Sequence, residues 1–263
     1  MENAIGIFDS GLGGLTVLKS LIQNFPNESF CYLGDIARLP YGNKSPETIR
    51  KYGLQIFDYL KKQNVKAIII ACNSASSVFM DEKDYQGIPV LNVIVPGTEA
   101  ALRKSLNRHI GILGTSATIR SGAYTECITQ KDPAAQIVTQ AAPLLVPLIE
   151  EGFLDDEVTR LVLKKYLAPF KESAVDTLIL GCTHYPVLRN EISKMMGNNV
   201  SLIESGEVLS EQLHLLFKNG TLTKSQAKQG TVDIQITDLT DQFKKLAEDL
   251  LSPQNFVLSR VVL

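Results

Sequence analysis

Apolar runs of strand length alternate with amphipathic, helix-period segments along almost all of the chain. "AIGIFDS", from Ala4, reads as a strand, and "GLTVLKSLIQNF" after it as a helix closed by Pro26. "SFCYLGD" gives a second strand, and "SPETIRKYGLQIFDYLKKQ" a helix with Ser45 as N-cap and Pro46 at its first position. The strand "VKAIIIA", a helix from about Ala75, the strand "PVLNVIV" and a helix starting near Thr98 come next. The pattern resumes with the strand "HIGILGT", a helix from about Ser121, the weaker strand "QIVTQAA" and the helix "LDDEVTRLVLKKYLAPF". "DTLILGC" is a strong strand, and "PVLRNEISKMMG" a helix entered at Pro186 and ended by Gly197. "VSLIES" and "EVLSEQLHLLFKNG" add a strand and a helix, before a closing "TVDIQITD" strand, "LTDQFKKLAEDLL" helix and "FVLSRVVL" strand.

Continuous apolar strands separated by single helices imply βαβ units, with parallel sheets covered on both faces. Two halves resemble each other: "IGIFDSG" is echoed by "IGILGTS", and "IIIACNS" by "LILGCTH". The expected fold class is therefore α/β, with two similar domains of mainly parallel sheet flanked by helices and the site in the cleft between them. Residues 1–97 with 208–263 form the first expected domain and residues 98–207 the second. Ligands of open α/β sheets bind beyond the carboxyl ends of the strands, where all four echoed motifs lie.

Net charge is −2, with an isoelectric point near 6.0, so electrostatics supply no case for nucleic acid or an anionic membrane as partner. No apolar run approaches the ~20 residues that span a bilayer. The chain opens directly into a strand with no basic segment or cleavage-type apolar region, so a cytoplasmic location is expected. Four cysteines are too few for a disulfide framework, and their spacing lacks a zinc-type cluster. Cys31 and Cys127 read as small buried fillers.

Cys72 and Cys182 differ, because each ends a strand just before a helix start. A helix dipole there favours the thiolate, so a lowered pKa is expected. His184 stands close enough to Cys182 to assist proton transfer. "DSGLGGLT" comes near a dinucleotide fingerprint, with Asp35 downstream as the acidic residue, but Thr16 replaces the third glycine. Asp9 at the strand end would also repel a pyrophosphate and welcome an ammonium group. Two thiols facing each other across a small ligand suit stereoinversion: one removes a proton from carbon and the other delivers a proton to the opposite face.

Five motifs, "GIFDSGLGGLTV", "GDIARLPYGNKS", "ACNSAS", "VPLIEEG" and "DTLILGCTHYP", closely resemble those of the glutamate racemase family and occur in the family's order, from Ile5 to about Glu204. That resemblance implies a two-domain, cofactor-independent enzyme that supplies D-glutamate for bacterial peptidoglycan. It matches Cys72 and Cys182 to the catalytic cysteines. Asp9 becomes the partner of the Cys72 face, and His184 with Glu150 the partners of the Cys182 face. Asp9 and Ser10, Tyr41 and Gly42, Asn73 and Ser74, and Thr183 and His184 become substrate-contacting pairs. Glu151, adjacent to Glu150, is the competing choice there. Thr115 is a further candidate for the pocket wall, and Arg38 and Lys44 are left out of the site. Ser74 departs from the family's usual threonine but keeps the hydroxyl. The expected partners are L- and D-glutamate, with a homodimer as the assembly considered. An aspartate racemase-like enzyme and an amino-acid- or nucleotide-binding module without turnover are the alternatives.

Overall fold

The structure, a computed structural model, describes residues 3–263. In chain order the first elements are β1 (Ile5–Asp9), α1 (Gly14–Asn24), β2 (Phe30–Gly34), α2 (Pro46–Lys62), β3 (Ala67–Ile70), α3 (Asn73–Ser76), β4 (Asp84–Tyr85) and β5 (Ile88–Asn92). There follow α4 (Ile94–Lys104), β6 (His109–Gly114), α5 (Ser116–Ser121), α6 (Ala123–Lys131), β7 (Gln136–Ala141), α7 (Leu145–Glu150), α8 (Glu157–Glu172) and β8 (Thr177–Gly181). The chain ends with α9 (Arg189–Met196), β9 (Ser201–Ile203), α10 (Ser205–Lys218), β10 (Val232–Ile236), α11 (Asp241–Leu251) and β11 (Val257–Arg260).

The strands form two sheets, ordered β11-β10-β2-β1-β3-β5-β4 and β7-β6-β8-β9. Every pairing is parallel except β4 with β5. β1, β2, β3 and β8 are buried at every residue, which is why they read as unbroken apolar runs rather than alternating ones. One apolar core runs from Ile5 and Ile7 of β1 through Ile94 and Ala101 of α4 and Leu209 of α10 to Ile112 of β6 and Ile179 of β8. α4 and α10 join the two sheets, and the expected domain boundaries at 97/98 and 207/208 fall within them. Among the described residues, no helix is long and apolar enough to cross a membrane.

Register places the site. Phe8 of β1 lies beside Ile70 of β3, so Asp9-Ser10 and Ala71-Cys72 emerge together at one sheet edge. Gly114 of β6 lies beside Gly181 of β8, so Thr115 and Cys182 emerge together from the other.

Ser45 caps α2 as the sequence predicts, accepting from the Thr48 N–H at 3.3 Å with Pro46 behind it. Some local features depart from the sequence reading. The helix expected from about Ala75 is the single turn α3, whose Ser76 Oγ donates back to the Ile70 carbonyl at 2.9 Å. Serines in this run offer the backbone partners that compete with helix continuation. The helix expected near Thr98 begins at Ile94, because Asn92 Oδ1 accepts from the Ile94 N–H at 3.1 Å and so ends the strand early. α7, built from "LVPLIE", is too short to carry a periodic signal; it folds because Leu145 and Ile149 bury one turn apart.

Candidate active site

Cys72 stands at the N-cap of α3 and Cys182 directly after β8; each is 5% exposed. Both line one cavity of about 410 Å³ between the two sheets. Ser10, Tyr41, Gly42, Asn73, Ser74, Glu150, Thr183 and His184 share its wall. Of the residues that the family resemblance assigns to the site, Asp9 alone does not reach the wall: it is fully buried behind it. There Asp9 Oδ2 accepts from the Gly11 N–H at 2.9 Å, and Oδ1 accepts from the Thr183 hydroxyl at 3.1 Å. Asp9 is thus a tie between the two sheets beneath the thiols.

The turn that follows explains the glycines without any phosphate. A Cβ on Gly13 would sit 2.4 Å from both His184 Nδ1 and Thr183 Oγ1, and one on Gly14 would sit 2.3 Å from the Asp9 Cβ. Thr16, the residue that broke the dinucleotide fingerprint, donates its hydroxyl to the Thr183 carbonyl at 2.9 Å. The glycine run lets the Thr183–His184 loop of the second sheet pack directly on backbone.

The two thiols meet different neighbours. Cys72 Sγ lies 3.6 Å from Ser10 Oγ, toward which it donates. Burial, then the charge of Asp9, pushes its pKa up to about 12, against the pull of the Ala75 N–H and Ser10. That corrects the expected lowering: one turn of helix is too weak a dipole to offset full burial beside a carboxylate. Cys182 Sγ lies 3.8 Å from His184 Nδ1, while His184 Nε2 lies 3.0 Å from Glu150 Oε1. Burial opposes charge on His184, but hydrogen bonding and charge from Cys182 and Glu150 outweigh it and raise its pKa to about 10. An imidazolium at neutral pH therefore sits against Cys182. Burial also raises Asp9, in spite of His184 and the Gly11 and Gly14 amides.

The remaining wall mixes apolar residues such as Leu39, Pro143 and Val146 with neutral hydroxyls. Ser74 Oγ lies 2.9 Å from Thr115 Oγ1, which lies 3.0 Å from Thr118 Oγ1, a hydroxyl cluster joining the two sheets. Thr115 therefore does reach the cavity. Thr118 carries no sequence signal, since it becomes a neighbour only by capping geometry in α5. Tyr41 is buried, and its hydroxyl turns to Asp35, which also holds Arg38 Nε at 2.6 Å and the Thr237 hydroxyl at 3.0 Å. Neither Arg38 nor Lys44 lines the cavity, so no lysine or arginine stands on its wall. Glu150 reaches His184, whereas Glu151 lines the cavity mouth without that bond. Among the described residues no group of three or more His, Cys, Asp or Glu is placed to hold a metal ion. Such a pocket can hold carboxylates on hydroxyls and backbone N–H groups, and can place a sulfur on either side of a bound carbon.

The family model for Asp/Glu/hydantoin racemases matches residues 7–213. A glutamate racemase from Chlorobaculum tepidum is 44% identical over 93% of this chain and 91% of its own length. Among solved structures, a glutamate racemase isoform from Bacillus anthracis superposes with a TM-score of 0.94 at 33% identity, covering 99% of this chain and 98% of that one. A glutamate racemase from Francisella tularensis, solved in complex with D-glutamate, gives a TM-score of 0.90 at 40% identity, covering 99% and 98%.

Proposed function

Since the chain belongs to the Asp/Glu/hydantoin racemase family and is an amino-acid racemase, we propose that it interconverts L- and D-glutamate through two cysteines, one on each face of Cα. The observation that carries this reading is the pair of thiols ending β3 and β8 on one cavity. Cys182, as thiolate, takes the Cα proton of L-glutamate, and the electron pair stays on carbon beside the α-carboxylate. Cys72, whose proton is held by burial and Asp9, donates that proton to the opposite face. The products are D-glutamate, a protonated Cys182 and a Cys72 thiolate. Protons exchanged with solvent, or a D-to-L turnover, reset the pair.

The His184–Glu150 pair supports charge on the Cys182 face, and Asp9, buried behind the wall, serves the Cys72 face through its charge. Asn73, Ser74 and the backbone N–H of Thr183 supply donors to one carboxylate, while Ser10 and the backbone of Tyr41 and Gly42 hold the other. In the cell the enzyme works in the cytoplasm, where its four free thiols stay reduced, and supplies D-glutamate to peptidoglycan synthesis.

Turnover in D2O tests the mechanism. Starting from L-glutamate, early D-glutamate carries deuterium at Cα while the remaining L-glutamate keeps protium. Cys72→Ala and Cys182→Ala each lose racemisation by at least ~10²–10⁴-fold, the worth of one general acid or base. Cys31→Ala and Cys127→Ala turn over nearly normally. Protium retained in early product, or racemisation surviving in Cys182→Ala, would reject the two-thiol scheme. Turnover of L-aspartate in preference to L-glutamate would reject the substrate.

A further inference from the structure

Asn73, next to Cys72 on the cavity wall, is gripped from two directions. Its Oδ1 accepts from the hydroxyl of Tyr124 in α6 at 2.8 Å. Its Nδ2 donates to Ser205 Oγ, at the first position of α10, at 3.0 Å. All three residues are buried: Asn73 is 2% exposed, Tyr124 3% and Ser205 5%.

A carboxamide can be turned over, exchanging its oxygen and its NH2, at little steric cost. The phenol decides which way it sits. Among the described residues Tyr124 has no hydrogen-bond partner other than Asn73 Oδ1, so a turned amide would leave the buried phenol proton without an acceptor. With Oδ1 held by Tyr124 and one N–H held by Ser205, the amide keeps a single N–H, the one available to the cavity.

We infer that Tyr124, together with Ser205, is a positioning residue of this enzyme, orienting the Asn73 amide so that its remaining N–H meets the substrate carboxylate. Neither residue touches substrate. The inference rests on the reading of Asn73 as a substrate contact, and it adds the two groups that make that contact directional. Both lie on elements of the molecule other than the Cys72 loop, 51 and 132 residues away along the chain, so binding strength depends on packing among α3, α6 and α10.

Steady-state kinetics on Tyr124→Phe, which keeps the ring and removes the donor, test the inference. A contact made equally in the bound and transition states moves KM and leaves kcat, so KM for glutamate rises about 10-fold in both directions with kcat within about 2-fold. Asn73→Ala raises KM at least as much. Tyr124→Phe adds nothing further in the Asn73→Ala background, because it acts through that amide. Ser205→Ala repeats the test from the other partner, should Tyr124→Phe fail to fold, and its KM rise likewise disappears in Asn73→Ala. A normal KM in the folded Tyr124→Phe enzyme, or a loss that persists in the Asn73→Ala background, overturns the positioning role. A normal KM in Asn73→Ala overturns the Asn73 contact itself, and the inference with it.

Discussion

Cys72 and Cys182 end matching strands, yet the side chains around them make them opposites: one is buried beside a carboxylate, the other set against an imidazole. His184 gives this asymmetry a pH signature. Its folded pKa of about 10 stands above the unfolded value near 6.5, so its paired, charged form stabilises the fold fully below pH ~6.5. That contribution is lost as pH rises through about 10. The difference in unfolding free energy between the wild-type enzyme and His184→Asn should shrink steadily across that window. A difference independent of pH would show that His184 is not charged against Glu150 and Cys182. From sequence the cysteines, His184 and the Asp9 position were legible, because strand ends and helix starts are local signals. The direction of the Cys72 shift was not, since burial and the distance to Asp9 are properties of the packed site.

The strand–turn–helix element β1–α1 does more than its glycine pattern suggests. Its first helical turn is the floor on which Thr183 and His184 lie, and that contact leaves no space for a methyl group at residue 13. Gly13→Ala should fold with near-native circular dichroism but lose kcat/KM by about 10²-fold, the cost of moving His184 and Thr183 by about an ångström within the cavity. Activity within a few-fold of wild type would mean that His184 shifts without consequence. The sequence could mark this turn as tight and glycine-rich. It could not tell a phosphate from a neighbouring loop as the group that approaches, because the neighbour is far away along the chain.

At the scale of the molecule, the cavity exists only between the sheets: Ser10, Tyr41, Cys72 and Ser74 come from one, Thr115, Glu150, Cys182 and His184 from the other. A ligand bridging both walls should stabilise the whole fold. Glutamate at 100 times its dissociation constant contributes about 2.7 kcal/mol, or a rise in melting temperature of roughly 5–10 °C by scanning calorimetry. Phe57→Ala, which empties a site packed by Phe8, Phe79 and Tyr85, should cost about 3–5 kcal/mol yet keep that same ligand-induced rise. A rise abolished by this substitution would mean that the cavity wall at Tyr41 and Cys72 depends on the core cluster they share with Phe57. The order of the strands and helices apart from β4 and α7, the parallel sheets, the Ser45 cap and the thiols at strand ends were determined by the sequence itself, through periodicity, turn residues and the repetition of its two halves. Tertiary structure alone decided that Asp9 lies beneath the wall, that Glu150 rather than Glu151 meets His184, and that Tyr124 and Ser205 hold Asn73. Those contacts join residues tens to hundreds of positions apart, and no local pattern records which of them the closing of one sheet against the other brings together.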